Sequence, residues 1–157
     1  MTYDVDVVAV PQQAIVSLRE KGQLADIGGR LRRLRELVAQ AGLTPAGPAM
    51  ARFYQDEPDS DGLDYDVALP VEPRPDGSVP DTVAEAGGAW LPRHYALEAV
   101  HVGPHNAMSD AWNAVREAAE ALGYTPAGPM TEVYERGRGD GVGPEGYITR
   151  VRLPYAR

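Results

Sequence analysis

The segment Met130-Thr131-Glu132-Val133-Tyr134 is where the sequence comes nearest to chemistry. Side chains of a strand alternate between its faces, so Met130, Glu132 and Tyr134 share one face and Thr131 and Val133 the other. A carboxylate between a thioether and a phenol, with no basic neighbour on its face, is poorly solvated. Its pKa is expected to rise unless a cation arrives. Such a group can bind a lipophilic cation or act as a general acid or base. The ordinary alternative is a solvent-facing Glu on an outer strand face.

The aromatic residues admit two readings in the same way. Trp112 occupies an apolar helix position and is either a core ring or a ring lining a ligand groove. Tyr54, Tyr65, Tyr134 and Tyr147 fall in strand-like runs, where Tyr is common for packing alone; gathered around a groove they would form a cage for flat or cationic ligands. His94, His101 and His105 lie within twelve residues. Gly103-Pro104 breaks any helix between His101 and His105, and no Cys or carboxylate at ligand spacing supports a metal, so none is expected; His105 reads as a groove-wall residue.

Other chemistry is absent from the sequence. It has no Gly-Lys-Ser/Thr phosphate loop, no Gly-x-Ser-x-Gly elbow and no His-Glu-x-x-His pair, and no cofactor is expected. Gly137-Arg138-Gly139 lies between two strand-like runs and reads as a hairpin loop. The 157 residues include no Cys, which excludes thiolate chemistry, iron-sulfur clusters and disulfides. A formal charge of -8 argues against direct binding to nucleic acid or an anionic membrane. The longest apolar run is Val7 to Val10, and Met1 to Asp6 lacks the basic start of a secretory signal, so a cytoplasmic location is expected.

The elements that must position these residues come twice. Thr44-Pro45-Ala46-Gly47-Pro48 recurs as Thr125-Pro126-Ala127-Gly128-Pro129, a displacement of 81 residues that also sets Pro11 on Pro92, Gly22 on Gly103 and Gly42 on Gly123. Ile27, Leu31, Leu34, Val38 and Ala41 run at helical spacing, and so do their equivalents Met108, Trp112, Val115, Ala119 and Leu122. Asp26 and Asn106 read as N-caps, Gly42 and Gly123 as left-handed helix ends. Strands are expected over Ala14–Arg19 and Tyr95–Val102, Ala49–Tyr54 and Met130–Glu135, and Leu63–Val71 and Gly146–Tyr155. The six acids between Asp56 and Asp66 read as a solvated hairpin loop. The expected fold is α+β: two pseudo-symmetric strand-helix-strand-strand repeats with antiparallel sheets around a central ligand groove. They form a single domain of repeat 1 (5–71), a connecting segment (72–87) that could pair in part at a sheet edge, and repeat 2 (88–157).

His101-Val102-Gly103-Pro104-His105, Ala111-Trp112, Gly123-Tyr124 and Gly128-Pro129-Met130-Thr131-Glu132-Val133-Tyr134, with Thr149 and Leu153-Pro154, resemble the GyrI-like small-molecule-binding domain. The same domain is the effector-binding module of AraC-type and MerR-type regulators. The resemblance covers essentially the whole chain. It implies a groove between the repeats in which Glu132 faces lipophilic, often cationic compounds, with Tyr65, Trp112, Tyr134 and Tyr147 lining it; Tyr54, His105 and Met130 complete the expected ligand-binding set. Departures fall at His105, where a Tyr is usual, and at Arg150, where an acid is usual. No DNA-binding segment precedes the first strand, so a stand-alone binding protein in multidrug sensing, sequestration or resistance is expected. The alternative implied by the family is hydrolysis of electrophilic cyclopropane-containing compounds, with Glu132 and Tyr147 as the catalytic candidates. A third is interaction with gyrase or a regulator.

Overall fold

Each half of the chain places one amphipathic helix on an antiparallel sheet, and the chain divides into two such units. The computed structural model describes residues 2–156; Met1 and Arg157 lie outside it. One unit, here the central unit, runs from Pro11 to Arg93; the other, the terminal unit, joins the segment ending at Val10 to the segment beginning at His94. In chain order the elements are β1 (Asp6–Val10), β2 (Gln13–Gly22), α1 (Ile27–Gln40), β3 (Met50–Phe53), β4 (Leu63–Pro70), β5 (Thr82–Val83), β6 (Ala86–Leu91), β7 (His94–Val102), α2 (Ser109–Leu122), β8 (Thr125–Pro126), β9 (Met130–Arg136) and β10 (Ile148–Ala156).

In the terminal unit the strand order is β1-β7-β10-β9, with β8 pairing the end of β10; in the central unit it is β3-β4-β2-β6-β5. All of these ladders are antiparallel. The leading strands extend the expectations. β1 pairs β7, joining Asp6 to Glu98 across most of the sequence. β6 begins inside the expected connecting segment and pairs β2 from Ser17↔Gly87 to Gln13↔Leu91. Gly88 is required there because any Cβ would collide with the Pro80 carbonyl.

Both helices are held by burial of one stripe. α1 buries Leu34, Leu37 and Val38; α2 buries Ala111, Val115 and Ala119, small residues that bring its backbone close to the sheet. Gly42 and Gly123 adopt positive φ of 72° and 71° at the helix ends. The expected caps differ. Asp26 precedes α1, but its carboxylate accepts the Gln23 N–H instead of a helix amide. Asn106 lies in a 3₁₀ turn, His105–Ala107, that intervenes before α2 begins, because Pro104 starts a tighter turn ahead of the helix.

Three acids of the expected solvated loop are tied to cations. Asp59 pairs with Lys21, Asp64 with Arg19 at 2.8 Å, and Asp66 with Arg52 at 2.6 Å. The Lys21 ammonium, first among several hydrogen bonds, lowers the Asp59 pKa to about 2.

Candidate functional site

The site lies within the terminal unit, and ladder register decides which side chains face one another. Glu132 on β9 stands level with Val151 on β10, which stands level with Ala99 on β7. Tyr134 is level with Thr149 and Thr149 with His101. One face therefore carries Met130, Glu132, Tyr134, Thr149, Val151, Ala99 and His101. The bond from Trp112 on α2 to Glu132 shows that this is the face the helix covers. Arg150 belongs to the opposite face, where it binds Glu98 at 2.8 Å and Glu135 at 3.1 Å. The acid-to-Arg departure therefore leaves the Glu132 face untouched.

Glu132 is buried and its carboxylate takes one hydrogen bond on each oxygen: Trp112 Nε1–H donates to Oε2 at 2.8 Å, and the Tyr134 hydroxyl donates to Oε1 at 2.8 Å. No Lys or Arg forms an ion pair with it among the described residues. Burial raises its pKa above the ordinary 4.5, against the smaller opposing effects of the Tyr134 and Trp112 bonds and of nearby His101. Trp112 is half-buried with the Arg116 guanidinium 5.2 Å from its ring centroid, and its indole N–H is aimed at the carboxylate.

His105 stands at the mouth of the site, its ring 5.3 Å from Tyr134 and 5.0 Å from Tyr147. Burial against these rings, with His101 nearby, lowers its pKa from 6.5, so the imidazole is neutral at pH 7. The Gly103 N–H donates to the Tyr147 carbonyl at 2.8 Å and fixes the two loops together. Met130 is buried on the Glu132 face, two residues away.

Two expected ligand residues, Tyr54 and Tyr65, lie in the central unit and make their contacts there. Tyr65 is fully buried; its hydroxyl donates to the Gln23 carbonyl and the Arg30 guanidinium lies 4.8 Å from its ring. The Tyr54 hydroxyl donates to Asp66 at 2.7 Å, and partial burial together with that bond pushes its pKa up to about 12. Sequence reasoning missed Tyr3 and the role of His101. The Pro104 carbonyl can only accept, so His101 Nε2, 3.0 Å away, carries a proton, and Nδ1 is hydrogen-bonded to the Tyr3 hydroxyl at 2.7 Å. Tyr3 and His101 are 98 positions apart, and no local pattern marks the pair. Among the described residues no group of three His, Asp or Glu side chains could hold a metal ion.

A model of one family matches residues 3–156 and defines the class: the GyrI-like small molecule binding domain. The chain belongs to that family. Among solved structures, the C-terminal domain of EcmrR aligns with a TM-score of 0.88 at 17% identity, over 100% of this chain and 99% of that one. The EcmrR chain in a DNA complex aligns with a TM-score of 0.87 at 16% identity, and this chain spans only 58% of its length. SAV2435 bound to tetraphenylphosphonium aligns at 0.60 and 17% identity, covering 99% and 94% of the two chains. A hydrolase from Listeria innocua aligns at 0.66 and 15% identity, covering 97% and 91%. At these identities the likeness is one of fold. A comparison with curated proteins gave no match. No helix among the described residues is long and apolar enough to cross a membrane.

Proposed function

We propose that this chain binds a lipophilic, cationic small molecule against Glu132, in a setting of sensing, sequestration or resistance, with Trp112, Tyr134, Tyr147 and His105 around it. The observation that carries this reading is a buried carboxylate with two neutral donors and no Lys or Arg ion pair among the described residues. Neutral donors orient a carboxylate without cancelling its charge, and an aromatic surround supplies apolar area and cation-π attraction to a large organic cation. That SAV2435 has been captured with tetraphenylphosphonium supports the same ligand class here.

Equilibrium dialysis against tetraphenylphosphonium tests it. Saturable binding near one equivalent per chain is expected, weakening as the pH falls. The sign follows from two groups: Glu132 loses its charge at a pH above the ordinary glutamate value, and His105 gains charge only below its ordinary value, so both turn against a cation in acid. Binding that is pH-independent across that range contradicts the reading.

A second reading, hydrolysis, is favoured by the raised Glu132 pKa, since a carboxyl group that keeps its proton nearer neutrality is suited to acid-base work. Glu132 would then protonate a leaving carbonyl oxygen, or orient water against a strained electrophilic carbon, with Tyr147 beside it. The protein at one-twentieth the concentration of a cyclopropane-bearing alkylator separates the two. Binding alone predicts loss of free compound that stops near one equivalent and is reversed on denaturation. Hydrolysis predicts a ring-opened product carrying solvent oxygen, formed over many equivalents and abolished in Glu132→Gln.

A further inference from the structure

Thr149 carries a buried hydroxyl that nothing in the site uses. The residue is fully buried and its Oγ1 has no hydrogen-bond partner. It stands level with His101 on one side and Tyr134 on the other. Both of these are committed elsewhere, His101 to Tyr3 and Pro104, and the Tyr134 proton to Glu132. The other buried side-chain atom without a partner among the described residues, the Tyr155 hydroxyl, belongs to a ring stacked on Tyr124 at 4.3 Å near the β8 end of β10, away from Glu132. Packing does not account for Thr149. Valine fills the same volume without leaving a hydroxyl unpaired, and a lone buried hydroxyl costs stability.

We propose that Thr149 is a second recognition group, donating to or accepting from an oxygen of the ligand, so that the preferred ligand is an aromatic cation bearing a hydroxyl or carbonyl oxygen. This rests on the reading of Glu132 as the cation partner and adds to it. Register sets the separation. Thr149 is the diagonal neighbour of Glu132 across the β9-β10 ladder, a spacing of roughly 7–8 Å between backbones. A cationic centre at Glu132 and an oxygen at Thr149 are therefore about one aromatic ring apart. Glu132 has no Lys or Arg partner among the described residues and the Thr149 hydroxyl has no hydrogen-bond partner, and a single ligand of this class, reaching the fully buried Thr149, satisfies both.

Three probes test the proposal by calorimetric titration: phenyltrimethylammonium, its 4-hydroxy derivative, and 4-tert-butylphenol, the neutral isostere of the latter. The wild-type protein is expected to bind the 4-hydroxy ammonium about 5- to 10-fold more tightly than phenyltrimethylammonium, as one neutral hydrogen bond allows. Thr149→Val should make the two ammonium probes equal, and Thr149→Ser should keep the preference. Thr149→Val should also unfold about 2–4 °C higher, having lost an unpaired buried hydroxyl, which shows that any loss of preference is not misfolding. Equal affinity of the two ammonium probes for the wild-type protein overturns the proposal, and so does a Thr149→Val variant that keeps the preference. Glu132→Gln reports separately on the underlying reading. It should weaken both ammonium probes and spare 4-tert-butylphenol; if it weakens all three alike, the cation assignment fails while the Thr149 preference is still read from the phenol.

Discussion

Glu132→Gln is expected to weaken binding of a cationic lipophilic dye by about 10- to 150-fold, equivalent to roughly 1.5–3 kcal/mol, and to change binding of a neutral dye of the same shape by much less. The substitution keeps size and both hydrogen bonds. The Gln oxygen accepts from Trp112, and its NH₂ donates to the Tyr134 oxygen once that hydroxyl rotates. Only the charge is lost, so the difference between the two dyes isolates it. Fluorescence titration of both dyes against both proteins is the measurement, and equal losses for the pair would mean that Glu132 does not recognise charge.

Arg52→Met should destabilise the fold by about 3 kcal/mol, whereas Glu132→Gln should leave the unliganded protein as stable as before or more so. Asp66 and Glu132 are buried in opposite ways. Asp66 is neutralised by Arg52 through bonds of 2.9 and 2.6 Å and receives the Tyr54 hydroxyl at 2.7 Å. Both side chains are nearly inaccessible, so removing the cation strands a buried charge. Glu132 has neutral donors only, so removing its charge relieves a desolvation cost. Its pKa is raised by folding, so the stability contributed by its protonated form is full below the unfolded value and is lost as pH rises through the folded value, where the buried group must ionise. The advantage of Glu132→Gln over wild type in urea unfolding should therefore be greater at about pH 8 than at about pH 4. A larger loss for Glu132→Gln than for Arg52→Met at neutral pH would make Glu132 a structural acid.

Strands β2, β3, β4, β7, β9 and β10 and both helices were legible because their periodicity is local: Leu34, Val38, Val115 and Ala119 recur at helical spacing, and Met130, Glu132 and Tyr134 alternate with Thr131 and Val133. β1 and β6 were not. β1 is a short apolar run whose partner lies about ninety residues away, and β6 carries Gly87 and Gly88 right after its first residue, Ala86, and glycine has no strand preference. At the site, alternation identified Glu132 and its missing cation, since both are properties of one strand face. That the Trp112 indole N–H is aimed at Glu132 depends on the direction of one bond, which spacing does not encode. Thr149 lay in the motif that carried the family resemblance, yet its unpaired hydroxyl becomes visible only when β10 is laid between β7 and β9.

A crystal structure of the protein with tetraphenylphosphonium tests the central claim most directly. The account predicts the phosphorus within about 6 Å of the Glu132 carboxylate, the range of direct charge and cation-π contact, with phenyl rings against Trp112, Tyr134 and Tyr147. The same unit also has an open groove of about 600 Å³ between the N-terminal segment at Tyr3 and α2, lined in part by Asp110 and Glu117. Density for the compound in that groove, with the Glu132 site unoccupied, would contradict the account.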